Sequence, residues 1–573
     1  MRASLHDADA ALIGRSCLPS MLLSLLLVAA SCGGDGVAAS DPGSQADASI
    51  LDAASVPDGG PEPNADAGPS GMAVNSVATS DGYTQVRQGQ GASSDETPVE
   101  LVIAGAGLDA VTDVSVGELA ASIREAGATE VRVTLEVPHA VPPGPRDVVV
   151  SAGASSVSLA AAIEVTPFVV APSAPAGGHG TFQSPLRLCD DTVERSRAGD
   201  TIFLLEGTHA CPSGVDLEGG GQIIRGTGTA TTLIGGTAPP GIPVDFGGFR
   251  MHAGPISSPP TSFTDLAIDA AASPDGTSVQ VLESGHVVLE RAVVLNGRIQ
   301  LGCPGCTPSA TVRESHLARA PIDATGETMI EVSDSILVFG RGAIRTRGGR
   351  LVVRGSTFQW CLTGVALGEP VGPDEQPVTA EIRDTVFMED QTGVTLDAGS
   401  LAITDTFIGS PDDSVLPTDR AIYITGGDLA ATGLTMSGLQ RSGIEALVSA
   451  DRVATARVTL ADTVIEGGQY GIDLEGSSEG GGLFMSSSVL RGQTVAAVKL
   501  GFARASGHDL RGGNQLSVAK GGVALDDARV DPLVGTIEAA GIALNGHSYA
   551  GRVEGPTERL PDYRILDRGA IQF

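Results

Sequence analysis

The 573-residue chain sets 35 Lys and Arg against 68 Asp and Glu, a formal net charge of −33. Binding a phosphate backbone needs clustered Lys and Arg, so this balance excludes nucleic acid as a partner. Aromatic residues make up 3% of the chain and glycines number 77, which suits many turns around a core of stacked Val, Ile and Leu.

Residues 1–31 read as an export signal. The apolar stretch from Cys17 to Ala30 is too short to span a bilayer and ends in small residues. Cys32, directly after Ala29-Ala30-Ser31, resembles the cysteine of a bacterial lipobox, with Ala29 where that motif carries Leu. The resemblance implies that Cys32 is lipidated, and Gly33 after it implies sorting to the outer membrane, on its periplasmic or cell-surface side. Acyl chains hold such an anchor by ~0.8 kcal/mol per buried CH₂. Residues 32–71 form an acidic linker: Gly33 to Ser70 has seven acidic residues and no basic one. That composition cannot bury a core and predicts disorder.

Over residues 72–172, short alternating runs (Val99-Glu-Leu-Val-Ile-Ala, Val114-Ser-Val, Val131-Arg-Val-Thr-Leu-Glu-Val, Asp147-Val-Val-Val) alternate with Gly- and Pro-rich turns. This pattern predicts a small antiparallel sandwich. Its order of pieces resembles an IPT/TIG domain, an immunoglobulin-like module: a strand ending in Gly-x-Gly-Leu at Leu108, then Val116-Gly117, Val137-Pro138 and Pro143-Gly144. The resemblance implies a spacer or interaction unit. His139, beside Pro138, reads as a solvated turn residue.

From residue 177 onward the chain repeats itself. Ser184-Pro185 predicts the start of a helix over about 184–198, with Leu186, Cys189 and Val193 on one face, capping the strands that follow. Between Phe263 and Leu490 a short motif recurs every 20 to 29 residues, its third position falling at Asp265, Glu290, Glu314, Asp334, Gly355, Asp384, Asp405, Gly433, Asp462 and Ser487. A second apolar run follows in most copies, as at Gly364-Val-Ala-Leu and Gly471-Ile-Asp-Leu. Each run is too short for a helix and rich in β-branched residues. Two or three strands per turn at this period make a parallel β-helix of roughly a dozen coils.

The entry, Gly180-Thr-Phe-x-Ser-Pro, then Ala198-Gly-Asp-Thr-Ile and Glu206-Gly-Thr, resembles secreted pectin-lyase-like proteins, which commonly have Tyr where this chain has His209. Leu566-Asp-Arg-Gly-Ala-Ile resembles the closing segment of secreted repeat proteins. The resemblance implies an all-β, right-handed parallel β-helix over residues 177–573, a fold that hosts lyases, hydrolases, epimerases and non-catalytic adhesins. Fold alone does not choose among them.

Of seven cysteines, Cys17 leaves with the signal and Cys32 takes the lipid. In an exported protein Cys189 and Cys211 are placed to pair, and Cys303-Pro-Gly-Cys306 fits a tight turn disulfide. No second pair or histidine spacing accompanies it, so no metal site is expected. Cys361, beside Trp360, is left over.

The acidic column recurs on nearly every coil beside a turn, so it reads as turn chemistry rather than a catalytic cluster. The outward strand positions are more informative, because inward ones fill the core. Arg313, Arg354 and Arg383 stack on one face, and Arg345 and Tyr423 on another; Arg341, Arg345, Arg347, Arg350 and Arg354 crowd one segment without an acid among them. Such a patch would bind a carboxylated or sulfated polysaccharide, with Trp360 or Tyr423 stacking on sugar rings. The alternative is that these arginines only keep the faces soluble. A lyase would need calcium-binding carboxylates beside a basic residue, for which Arg383 with Glu381 and Asp384 is the best local set. These observations lead to a lipid-anchored, non-catalytic envelope protein that contacts glycans or other envelope components and needs no cofactor. The alternative is a polysaccharide lyase or glycoside hydrolase, with calcium only in the lyase case.

Overall fold

A computed structural model describes residues 71–553 apart from 93–97, 218, 230–231, 236–247, 252–258, 272–275, 282–283, 303–305, 371–375, 412–416, 450–454, 477–480, 503–507, 511–512, 520–522, 528–536 and 545–546. Cys32, Cys303 and the Leu566 segment lie outside the described residues.

Two four-stranded sheets form the N-terminal sandwich. One runs Ala73–Thr79, Val99–Ala106, Glu130–Leu135, Ala121–Ala126; the other runs Gln85–Arg87, Ser155–Thr166, Gly144–Ala152, Asp113–Val116. Alternation places Leu101, Ile103, Val131 and Val133 inward, where they are buried in one core with Val114, Val116, Val148, Val150 and Ile163. The sandwich ends sooner than the expected boundary at 172. Pro167 interrupts the chain after Thr166, and Phe168–Val170 pairs in parallel with Thr201–Leu204 as the first rung of the solenoid.

The joint between the two parts is polar and buried. Gln88 Oε1 accepts from the Thr201 amide at 3.1 Å, its Nε2 donates to the Val141 carbonyl at 2.7 Å, and the Arg87 guanidinium lies 4.6 Å over the Phe168 ring. His139 is not a solvated turn residue. Its Nδ1 sits 2.6 Å from the Asp200 carboxylate, which is fully buried. The pairing joins residues 61 positions apart, so no local signal reveals it.

Over most of the solenoid a strand pairs in parallel with the third strand after it, which fixes three strands per coil and three sheets along the length. Thr435–Val448 is long enough to serve two sheets, and the last described pair, Ile537–Leu544 with His547–Val553, is antiparallel. The first sheet stacks Ser309–Arg313, Met329–Ser333, Arg350–Arg354, Thr379–Arg383 and Ser400–Thr404 in unbroken register. The second sheet is made of short strands such as Thr357–Gln359 and Val386–Met388. The third contains Ile344–Thr346, Thr363–Leu367, Thr392–Leu396 and Thr418–Ile424. Inward Val, Ile, Leu and Phe from all three form one continuous core. Within it Phe358 and Phe387 stack at 4.5 Å between centroids.

The acidic column is turn structure. Asp265, Glu314, Asp334, Asp384, Asp405 and Asp462 all hold positive φ of 46–55° at the corner between the first and second sheets. Glu290 does not belong to it; the left-handed residue of that coil is Arg291, one position on. Gly355 and Gly433 occupy the same corner, and a Cβ there would lie 2.7 Å and 2.3 Å from the carboxylates of Asp334 and Asp405 in the preceding coil. The residue after each corner is commonly a buried Ser or Thr whose hydroxyl donates to the carbonyl two residues back, as at Ser335, Ser356 and Thr385. A second left-handed column, unforeseen from the sequence, runs through Asn296, Arg319, Phe339, Trp360 and Glu389.

The open N-terminal end is covered differently from expectation. Only Asp191–Glu194 is helical, and Leu186 instead forms a parallel bridge to Val170. Proline at 185 feeds an extended segment here, so Leu186, Leu188 and Val193 bury themselves over the first coils. The disulfide Cys189–Cys211 ties this cap to the next strand, with Cα atoms 5.2 Å apart. Cys306 is disulfide-bonded, with its partner outside the described residues, while Cys361 is a buried free thiol.

Candidate functional site

The third sheet turns a line of side chains outward, one per coil: Arg345, Ala366, Thr395, Tyr423, Glu445, Asp473 and Lys499 are consecutive register partners. Alternation places a second line two residues further along each strand, through Arg347, Gly368, Asp397, Thr425 and Leu447. This second line is the floor of a groove of about 860 Å³, walled by Glu369, Pro370 and Ser449 and flanked by Tyr423. Its volume falls in the range of sites that hold small molecules or polymer segments. Five coils at ~4.8 Å per step make a floor roughly 19 Å long, running parallel to the solenoid axis.

Local sequence explains the depression. Ala366 and Gly368 give one coil almost no side chain, and longer connections follow Gly368 and Val448, where the chain leaves the third sheet. Arg347 leans into the space: a Cβ on Gly368 would sit 3.1 Å from its Cγ. Arg345 folds the other way, over Gly342, whose added Cβ would lie 2.5 Å from its Nε. Thr425 Oγ1 donates to Asp397 Oδ1 at 2.7 Å, and the Arg420 guanidinium lies 4.9 Å over the Tyr423 ring.

Beyond the groove the same face is a mixed-charge cluster. Glu445 is met by Arg420 and Arg441, each at 3.0 Å, and by the Ser442 hydroxyl at 3.1 Å. Asp473 lies 3.1 Å from Lys499, which also pairs with Glu475 and sits 5.2 Å over the Tyr470 ring. Burial pushes the Asp473 carboxyl up despite Lys499. Asp390 is shifted further, to about 8, because it is buried; its Oδ1 accepts from the Cys361 amide at 2.7 Å. The adjacent Cys361 thiol is pushed up to about 12, again chiefly by burial. Neither Asp390 nor Asp473 lines the groove.

Of the residues singled out from sequence, Tyr423 and Arg347 line the groove and Arg345 stands on the same sheet beside it. The remaining binding and catalytic candidates lie elsewhere. Arg313, Arg354 and Arg383 share the first sheet, with Arg354 and Arg383 as direct neighbours, as the spacing implied. They are not a basic patch, because their own or neighbouring strands supply acids: Glu290 meets Arg313 at 3.1 Å, Glu331 lies 3.9 Å from Arg354, and Glu381 pairs with Arg383. That pairing occupies two members of the lyase set, and the third, Asp384, is a corner residue with φ 50°. Trp360 is half-buried, stacked at 4.8 Å on Phe339 of the preceding coil. Gly368, Glu369, Pro370, Asp397, Thr425, Leu447 and Ser449 were missed. The available signal was the second outward position of each third-sheet strand, together with the lengthened connections. Among the described residues, no three His, Cys, Asp or Glu side chains come together as a metal site requires.

No protein-family model and no curated protein matches the chain. Solved structures with a related course include the catalytic domain of a GH87 α-1,3-glucanase in complex with nigerose, with TM-score 0.39 and 11% identity, covering 78% of this chain and 91% of that one. PfbA, a surface adhesin of Streptococcus pneumoniae, superposes with TM-score 0.29 and 12% identity over 50% of this chain and 84% of its own. The pectate lyase Pel9A gives 0.24 and 13% over 64% and 79%. Superpositions this loose carry no argument about the groove.

Proposed function

We propose that the protein is a non-catalytic glycan-binding scaffold of the cell envelope and that the third-sheet groove is its binding site. The observation that carries this reading is the floor itself: one residue from each of five successive coils, Arg347, Gly368, Asp397, Thr425 and Leu447, with Tyr423 alongside. A coil step of ~4.8 Å is close to the length of one sugar ring, so a polymer lying along the axis meets one floor residue per unit. Aromatic rings and convergent polar groups are the usual furniture of such sites. The binding reading is favoured over elimination at the set singled out from sequence because Glu381 and Arg383 are occupied with each other on the first sheet, away from the groove.

In this reading the lipid on Cys32 anchors the chain, the acidic linker extends it, and the sandwich is an IPT/TIG-like spacer presenting the solenoid. Palmitate labelling should mark the wild type and not Cys32→Ala. For the groove, the protein is mixed with neutral and acidic polysaccharides, with and without calcium, and followed by size-exclusion chromatography. Co-elution without shortening is expected, and Tyr423→Ala should weaken it. Shortening of any polymer would make this a depolymerase instead.

A further inference from the structure

The charge along the groove floor is uneven. Several arginines on the solenoid faces are met by acids, including Arg291, Arg313, Arg354, Arg383, Arg420, Arg441 and Arg491. Arg347 has no ion-pair partner among the described residues, although the chain carries 68 acidic residues. Its exposed side chain is laid across the floor by the glycine at 368, which leaves room for its stem. Two coils further on, roughly 10 Å away, the floor turns negative at Asp397, with Glu369 on the wall. Beyond that it becomes aromatic and apolar at Tyr423 and Leu447.

Resting on the glycan-binding reading, we propose that the groove selects a heteroglycan whose acidic units are isolated: one uronate or sulfate-bearing unit at Arg347, followed by neutral units across Gly368, Asp397 and Tyr423. A guanidinium presents a planar fork of donors that matches carboxylate or sulfate oxygens. A neutral chain forfeits that contact. A homopolymer of uronates gains it, but sets a further charge against Asp397, about two units along. At roughly 10 Å, Arg347 is about a Debye length from Asp397 in 0.1 M salt, so the two ends of the floor act on a ligand almost independently. A strictly alternating polymer meets the same objection, since its third unit falls on Asp397. Ala366 and Gly368 leave space in the second coil for a branch, which is one way an acidic unit comes to be isolated.

The test is titration calorimetry on the whole protein with four oligosaccharides of similar length: neutral xylo-oligosaccharide, the same backbone bearing one glucuronate, the same bearing one sulfate ester, and oligogalacturonate. The tighter of the two singly charged ligands should bind about tenfold more strongly than the neutral one, and it identifies the anion. Oligogalacturonate should bind more weakly than that ligand. Arg347→Gln should bring the singly charged and neutral ligands to parity. Asp397→Asn should strengthen oligogalacturonate. Equal binding of neutral and singly charged ligands by the wild type, or tightest binding of oligogalacturonate, overturns the proposal while leaving glycan binding in place. Absence of binding by all four overturns both.

Discussion

The first and third sheets of the solenoid carry the same kind of side chain in the same stacked geometry, yet do different things with it. On the first sheet, Arg313, Arg354 and Arg383 are each met by a glutamate from their own or an adjacent strand, and the face is balanced. On the third, Arg347 is set against Gly368 rather than an acid, and a groove opens beside it. A run of arginines in the sequence therefore says little about local potential. What matters is the residue one coil away, 20 to 30 positions distant, which register brings alongside.

Three experiments sharpen the contrast. The largest effect should come from the core the faces share. Phe387 is fully buried and stacked on Phe358, so Phe387→Ala should cost about 3–5 kcal/mol in chemical denaturation and weaken both faces together. Loss of stability below 1 kcal/mol would mean that the coils collapse to fill the gap.

The second approaches the third face from inside. Asp390 precedes the strand Thr392–Leu396 that leads to Asp397, and burial raises its carboxyl from 3.8 to about 8. The unfolded chain ionises at the lower value, so between about pH 4 and pH 8 it binds fewer protons than the native state. Stability is then fully present below that window and is lost as pH rises through it. Asp390→Asn removes this slope and should be the more stable protein at pH 8, by on the order of 5 kcal/mol, with the difference vanishing near pH 4. A difference independent of pH would show that the carboxyl is ionised in the fold.

The smallest effect is expected on the balanced face. Arg354→Gln breaks an exposed pair 3.9 Å apart and should change stability by less than about 0.5 kcal/mol, with glycan affinity unaltered. Measured alongside Arg347→Gln in the same titration, it separates a binding arginine from a solubilising one. Equal losses from both variants would erase the distinction between the faces.

The repeating architecture was legible because alternation of inward Val, Ile and Leu with outward polar residues is a local property that each short strand displays by itself. The corner aspartates were legible for the same reason: a left-handed turn states its preference within two or three residues. Even so, Glu290 was misplaced by one position, because its neighbour Arg291 occupies the turn without the usual acid. The helix expected from Ser184-Pro185 failed where tertiary contact overrode local propensity, since Leu186 gains a bridge to Val170 that a helix would deny it.

By itself, the sequence determined an all-β chain with a sandwich before a parallel solenoid, most positions of one column of its corners, and the pairing of Cys189 with Cys211; that the solenoid has three sides came from the structure. Tertiary structure alone decided which charges meet and where the surface is hollow. Asp200 lies beside His139 only once the sandwich meets the solenoid, and Glu290 lies beside Arg313 and Gly368 beneath Arg347 only once the coils are stacked. The physical reason is range. Backbone preference and burial act on neighbours along the chain, whereas charge pairing and groove shape depend on neighbours across coils, whose identity is set by register and loop length.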